Sequence, residues 1–146
     1  MSNANHVGSR LPSSFGNYEV GAAVSCSVGA AGNAVATIPV LGGGLTPNTG
    51  AFILRRITVS NATADASVAT VRILTSNDGN TSNAVCSLTT LSNCTTKLGF
   101  NDATISAPYA AASALNVSAL FVLVGTPANA STTKVNVRVY GDFVNL

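Results

Sequence analysis

Charge is what this chain has least of. Only 8% of its 146 residues are Asp, Glu, Lys or Arg, against about 25% in an ordinary globular protein. It has one histidine, His6, and no tryptophan. A Ser/His/Asp arrangement would have to use His6, which sits in a polar N-terminal stretch where nothing holds a base within hydrogen-bond reach of a nucleophile. The carboxylates Glu19, Asp65, Asp78, Asp102 and Asp142 fall mostly in turn-like stretches, where Asp folds back on its own backbone. That makes a glycosidase-like pair such as Asp78 with Asp102 the weaker reading, and we expect no enzyme.

The cations are equally sparse. Arg10, Arg55, Arg56, Arg72, Lys97, Lys134 and Arg138 form no basic block, so no nucleic-acid partner is expected. No apolar run approaches the roughly 20 residues that span a bilayer, and no membrane partner is expected either. The opening MSNANHVGSRLPSSFG has no basic segment followed by an apolar one, so the protein is expected to be made and kept in a cytoplasm. Cys26, Cys86 and Cys94 are an odd number without a CxxC pair, which favours buried free thiols and argues against a zinc site; a hairpin bridge between Cys86 and Cys94 stays open. No cofactor or metal is expected. The glycine-rich run VLGGGLTPNTG, Val40 to Gly50, lacks the GK[ST] ending of a phosphate loop and reads as a loop between strands.

What the chain has is apolar residues, 47%, set in hydroxyl- and amide-rich sequence. Their period is two. Val135, Val137 and Val139 alternate with Lys134, Asn136, Arg138 and Tyr140, the pattern of a half-buried strand. Val71 and Ile73 alternate with Thr70 and Arg72 in the same way, whereas ALFVLV, Ala119 to Val124, is apolar on both faces and reads as a central strand. Further strands are predicted over Val20–Val28, Asn33–Val40, Phe52–Ser60 and Ala84–Leu91, with weaker ones over Asn93–Leu98 and Ala103–Ser106. Gly, Asn, Pro and Asp clusters separate them, including turns over Asn61–Asp65, Asn77–Asn83 and Gly99–Asp102. Short strands at this spacing predict an all-β chain folded as a single β-sandwich, a jelly roll of about eight strands.

We read residues 1–18 as an N-terminal arm and 19–146 as the sandwich domain. The arm is too polar to fold alone: it is either a frayed end or an extended segment that orders on a neighbouring subunit with Leu11, Phe15 and Tyr18 as anchors. Arg55 and Arg56 put guanidinium groups on opposite faces of one strand. One of them then makes an interface or intersheet contact, since an unpaired core arginine costs several kcal/mol; otherwise the strand lies at an edge and both reach solvent on their long stems. The candidate interface residues are therefore Arg10, Leu11, Phe15, Tyr18, Arg55 and Arg56.

The stretch AFILRRITVSNATADASVATVRILTS, with ALFVLVGTP and KVNVRVYGDFV downstream, resembles small tailed-bacteriophage virion proteins of the capsid decoration, or cement, type. The resemblance covers about Phe52 to Phe143 and lies in packing and turn patterns, so no site residue transfers with it. It implies a sandwich or jelly roll that forms homo-oligomers, with trimers favoured, and sits outside a capsid lattice. The partner would be the major capsid protein, bound at junctions between its subunits on the outer surface of the virion, after synthesis in the host cytoplasm. A net charge of +2 opposes such association only weakly. Two other readings stand beside it: a tail or fibre module that binds host surface glycan, for which a chain without tryptophan offers a thin stacking platform, and a secreted pilin or adhesin subunit.

Overall fold

Alternating valines settle the last strand. In a computed structural model that describes residues 18–40 and 50–145, Val135, Val137 and Val139 are buried, while Lys134, Arg138 and Tyr140 turn outward. The described residues form β1 (Tyr18–Ser27), β2 (Gly32–Pro39), β3 (Gly50–Ser60), β4 (Thr70–Leu74), β5 (Thr89–Thr90), β6 (Phe100–Asp102), β7 (Ala114–Leu115), β8 (Ala119–Val124) and β9 (Lys134–Asn145). Two 3-10 turns, Thr81–Asn83 and Tyr109–Ala111, are the helical backbone among them.

The strands form two antiparallel sheets. One runs β1-β9-β3-β6, with β7 on the same edge of β3 as β6; the other runs β2-β8-β4-β5. With β7 set aside, the pairs β1:β9, β2:β8, β3:β6 and β4:β5 are the rungs of one long hairpin, four strands out and four back. Successive rungs alternate between the sheets, and the pairs β9:β3 and β8:β4 stitch them together. A hairpin wound in this way is a jelly roll, so the chain is the all-β sandwich its period-two pattern implies.

The core between the sheets is aliphatic. Val20, Leu54, Ile57, Val59 and the β9 valines face Ile38, Val71, Ile73, Leu120 and Val122. Phe52 is the largest fully buried side chain. As ALFVLV implies, β8 lies inside its sheet, between β2 and β4.

Between β4 and β8 the structure departs from expectation. The strand expected over Ala84–Leu91 reduces to the isolated bridges Leu74↔Ala84 and Cys86↔Ile105 and the two residues of β5. Asn93–Leu98 is a turn: Cys94 N–H donates to Leu91 O, Gly99 N–H to Thr96 O and Asn93 N–H to Asn101 Oδ1. Here local polar groups outcompete a ladder, and the strand falls one step later, at Phe100–Asp102, within the stretch assigned to a turn. Ala103–Ser106 keeps only the bridge at Ile105. Tyr18, assigned to the arm, is the first residue of β1 and pairs with Gly141. The rest of the arm, including His6, Arg10, Leu11 and Phe15, lies outside the described residues, as does most of the glycine-rich run.

All three cysteines are free and buried, with no bridge between Cys86 and Cys94. Cys86 Sγ accepts from the Ile73 amide at 3.3 Å, and Cys94 Sγ donates to Val59 O at 3.5 Å. Burial pushes the Cys26 and Cys86 thiols up to about 11 and raises that of Cys94. An unfolded thiol ionises near pH 8.5, so between there and pH 11 the unfolded chain holds fewer protons than the folded one. Stability is therefore full below the unfolded value and falls as pH rises through this window. The urea midpoint is expected to drop from neutral to alkaline pH, and to drop less in Cys26→Ala; an identical pH dependence in the variant contradicts this account.

Candidate functional site

A β-bulge builds the most chemically varied surface among the described residues. Along β3 and β9, Leu54 lies opposite Gly141 and Arg56 opposite Tyr140, which leaves Arg55 as an extra residue. Leu54 and Ile57 both stay in the core, so Arg55 and Arg56 both emerge on the outer face of the β1-β9-β3-β6 sheet. This corrects the expectation of one arginine on each face; both reach solvent as the alternative reading has it, although β3 lies inside its sheet and not at an edge. Bulges of this kind re-aim side chains. The strands approach closely here: a Cβ on Gly141 would stand 2.4 Å from Ile53 O, so only glycine fits opposite the bulge.

Regular alternation beyond the bulge adds to this face. Strand β9 contributes Lys134, Asn136, Arg138, Tyr140 and Asp142; β3 adds Thr58 and Ser60, β1 adds Glu19, and β6 adds Phe100 and Asp102. Arg55 Nε donates to Asp142 Oδ2 at 2.7 Å, with the carboxylate mostly buried. Arg138 Nη1 donates to Glu19 Oε2 at 2.6 Å, a diagonal cross-strand pair that raises the guanidinium pKa. The Arg56 guanidinium lies 4.6 Å from the centre of the Tyr140 ring, within cation–π range. Thr58 Oγ1 donates to Asp102 Oδ1 at 2.6 Å.

Three carboxylates, Glu19, Asp102 and Asp142, thus sit on strands of this face, where the sequence suggests mostly turns. Asp65 and Asp78 do build turns. The Ser67 side chain and amide hold Asp65 below the usual carboxylate range, and the Ser76 side chain with the Asn80 amide does the same for Asp78. Asp78 lies in the turn after β4 of one sheet, where it accepts from Ser76 Oγ and the Asn80 amide, whereas Asp102 belongs to β6 of the other and accepts from Thr58.

Two open hollows mark this side of the molecule. One, of about 340 Å³, lies between Arg56, Thr58 and Ser60 on one side and Lys97, Leu98, Phe100 and Asp102 on the other. The second, of about 530 Å³, is lined by Arg55, Arg56 and Asp102 together with Thr104, Ile105 and Ala110. Arg56 and Asp102 stand between them and line both.

The outer face of the other sheet differs in character. Arg72 is the one charged residue in β2, β4, β5 and β8, and Ala119, Phe121 and Leu123 are half-buried there. Of the interface residues expected from sequence, Arg55 and Arg56 share the charged face. Tyr18 does not join them: its ring lies 6.2 Å from that of Phe143. Sequence reasoning did not place Glu19, Phe100, Asp102, Arg138, Tyr140 and Asp142 on this face, where pairing across the sheet sets them, nor Lys97, which lies in the turn before β6.

Among the described residues no three His, Cys, Asp or Glu side chains gather where they could hold a metal ion. No helix among them is long and apolar enough to cross a membrane. Comparison of the chain with models of known protein families, with curated proteins and with solved structures finds no match.

Proposed function

We propose that this protein is a structural virion component that binds the outside of a phage capsid and stabilises the shell at junctions between major capsid subunits. It acts as a homo-oligomer, with a trimer favoured, on the outer surface of the particle. The observation that carries this reading is the concentration of scarce charge. A chain with few ionic groups sets four cations and three carboxylates on one face of a rigid jelly roll, and uses a bulge to bring both arginines there. Charge patterned on a rigid face fixes orientation and register against a partner more than it adds affinity, which suits docking on a repeating lattice. Binding to the assembled shell alone stabilises it by mass action. The sequence resemblance points to the same class. The test is to mix purified protein with undecorated capsids: saturable co-sedimentation and a higher disruption temperature are expected, and no binding under assembly conditions contradicts the proposal.

The arm adds a second footprint in this reading. Deleting residues 1–15 removes no described strand, so the urea midpoint should hardly change while capsid affinity or oligomer stability falls. Unchanged binding would show that the arm has no part in attachment.

One observation favours the alternative, a tail or fibre module that binds host surface glycan. Phe100 is 55% exposed and shares the smaller hollow with Asp102 and Asn61, an aromatic beside polar groups as sugars require. Retention on a glycan array, with no binding to capsids, would select it.

A further inference from the structure

We infer that the smaller hollow, between β3 and the Lys97–Asp102 segment, is the docking site for an acidic protein segment that carries apolar side chains beside its carboxylates. The inference rests on reading this face as a partner-binding surface and names the chemistry of the partner.

Charge accounting comes first. The five side-chain carboxylates of the chain all lie among the described residues. Asp142 takes Arg55, Glu19 takes Arg138, Asp65 and Asp78 accept from their own turns, and Asp102 accepts from Thr58. None is left at ion-pair distance from Arg56 or Lys97, which line the same hollow. The Arg56 guanidinium carbon lies over the Tyr140 ring, a contact that uses the ring face and leaves the N–H donors available for a carboxylate. Asp102 offsets part of this charge, so the hollow is cationic without being a phosphate trap.

The apolar groups come second. Leu98 is 93% exposed and Phe100 55%, the former the most exposed large apolar side chain among the described residues. Single exposed leucines are ordinary, but these two share one concavity with Arg56 and Lys97, two cations at ion-pair distance from no carboxylate. Aromatic and arginine side chains are the types that dominate binding energy at interfaces.

The rim is also held in shape. Asn93 N–H donates to Asn101 Oδ1, Leu98 N–H to Thr96 Oγ1 and Gly99 N–H to Thr96 O. A Cβ on Gly99 would stand 1.8 Å from Asn93 O, so the turn packs against itself between the two apolar side chains. A rim already ordered loses little entropy on binding. An aliphatic leucine has no flat face for a sugar ring, which favours a peptide with Leu- or Phe-like side chains over a glycan.

The test is an NMR titration of the ¹⁵N-labelled full chain with the capped peptide Asp-Leu-Asp-Phe-Asp, its Asn-Leu-Asn-Phe-Asn counterpart and a hyaluronate oligosaccharide. Saturable shifts confined to Arg56 and Lys97–Asp102, at least tenfold tighter for the acidic peptide than for the Asn peptide, are expected. Arg56→Gln with Lys97→Gln, and separately Leu98→Ser, should each weaken the acidic peptide about tenfold while leaving the rest of the spectrum in place. Equal binding of the two peptides, shifts on another face, no shifts at millimolar peptide, or hyaluronate binding in the hollow without peptide binding would each overturn the inference. A protein that takes the acidic peptide but ignores capsids upholds this inference and removes the capsid reading.

Discussion

Deleting the single residue Thr58 is expected to leave no folded protein, whereas deleting Arg55 leaves a cooperatively folding one. The contrast follows from the phase of β3. Phe52 and Leu54 face the core, and so do Ile57 and Val59; the extra residue between the two sets is Arg55. Without Arg55, Leu54, Arg56 and Ile57 alternate as an unbroken strand, and Arg56 still faces Tyr140. The loss is mainly one ion-pair contact of a mostly buried Asp142 carboxylate, which costs about 1–3 kcal/mol. Without Thr58, Ile57 and Val59 become neighbours, and a one-residue slip sends alternate side chains to the wrong faces. The bulge absorbs the slip only by turning Arg56 into the core and Ile57 out, at a cost of several kcal/mol. Circular dichroism and urea titration of both deletions decide the matter; equal damage from the two would mean that β3 carries no bulge.

Phe52→Ala is expected to cost about 3–5 kcal/mol, a large share of the roughly 5–15 kcal/mol that holds an ordinary domain together. Phe52 pairs with Phe143 on β9 and with Leu115 on β7, at the end of β3 where both edges of that strand are covered. The surrounding core is built of Val, Leu and Ile, which have no bulk to spare for the cavity. Phe52→Leu keeps most of the volume and is expected to cost less than about 1.5 kcal/mol. Urea midpoints at constant slope measure both. A loss below 1 kcal/mol for the alanine variant would mean that the site collapses freely and that Phe52 does not anchor this end of the sandwich.

The regular strands were legible because period two survives in them: Val135, Val137 and Val139 announce β9, and ALFVLV announces a strand flanked on both sides. The bulge was legible in principle as well. Apolar residues at 52 and 54 followed by 57 and 59 break the alternation by one, and Arg55 and Arg56 occupy the break. Reading Arg55 and Arg56 by strict alternation put them on opposite faces. The short strands β6 and β7 carry too few residues to show a period, and their pairing depends on the edge that β3 offers. The site itself was the least legible part. Its ion pairs join residues separated by 87 positions, Arg55 with Asp142, and by 119, Arg138 with Glu19. No local pattern announces such partners; the order of the strands brings them together. Leu98 and Phe100, in a segment read as turn and weak strand, become prominent only once β6 sets them beside Arg56.

In the proposed function the outer face of the β1-β9-β3-β6 sheet meets a capsid. A cryo-electron reconstruction of undecorated capsids saturated with the purified protein tests it most directly. Regular density is expected at junctions between capsid subunits, with Arg55, Arg56, Lys134 and Arg138 turned toward the lattice and the sheet bearing Phe121 and Leu123 turned away from that contact. Capsids without ordered added density, or decorated capsids on which the arginine-bearing face points into solvent, would contradict it.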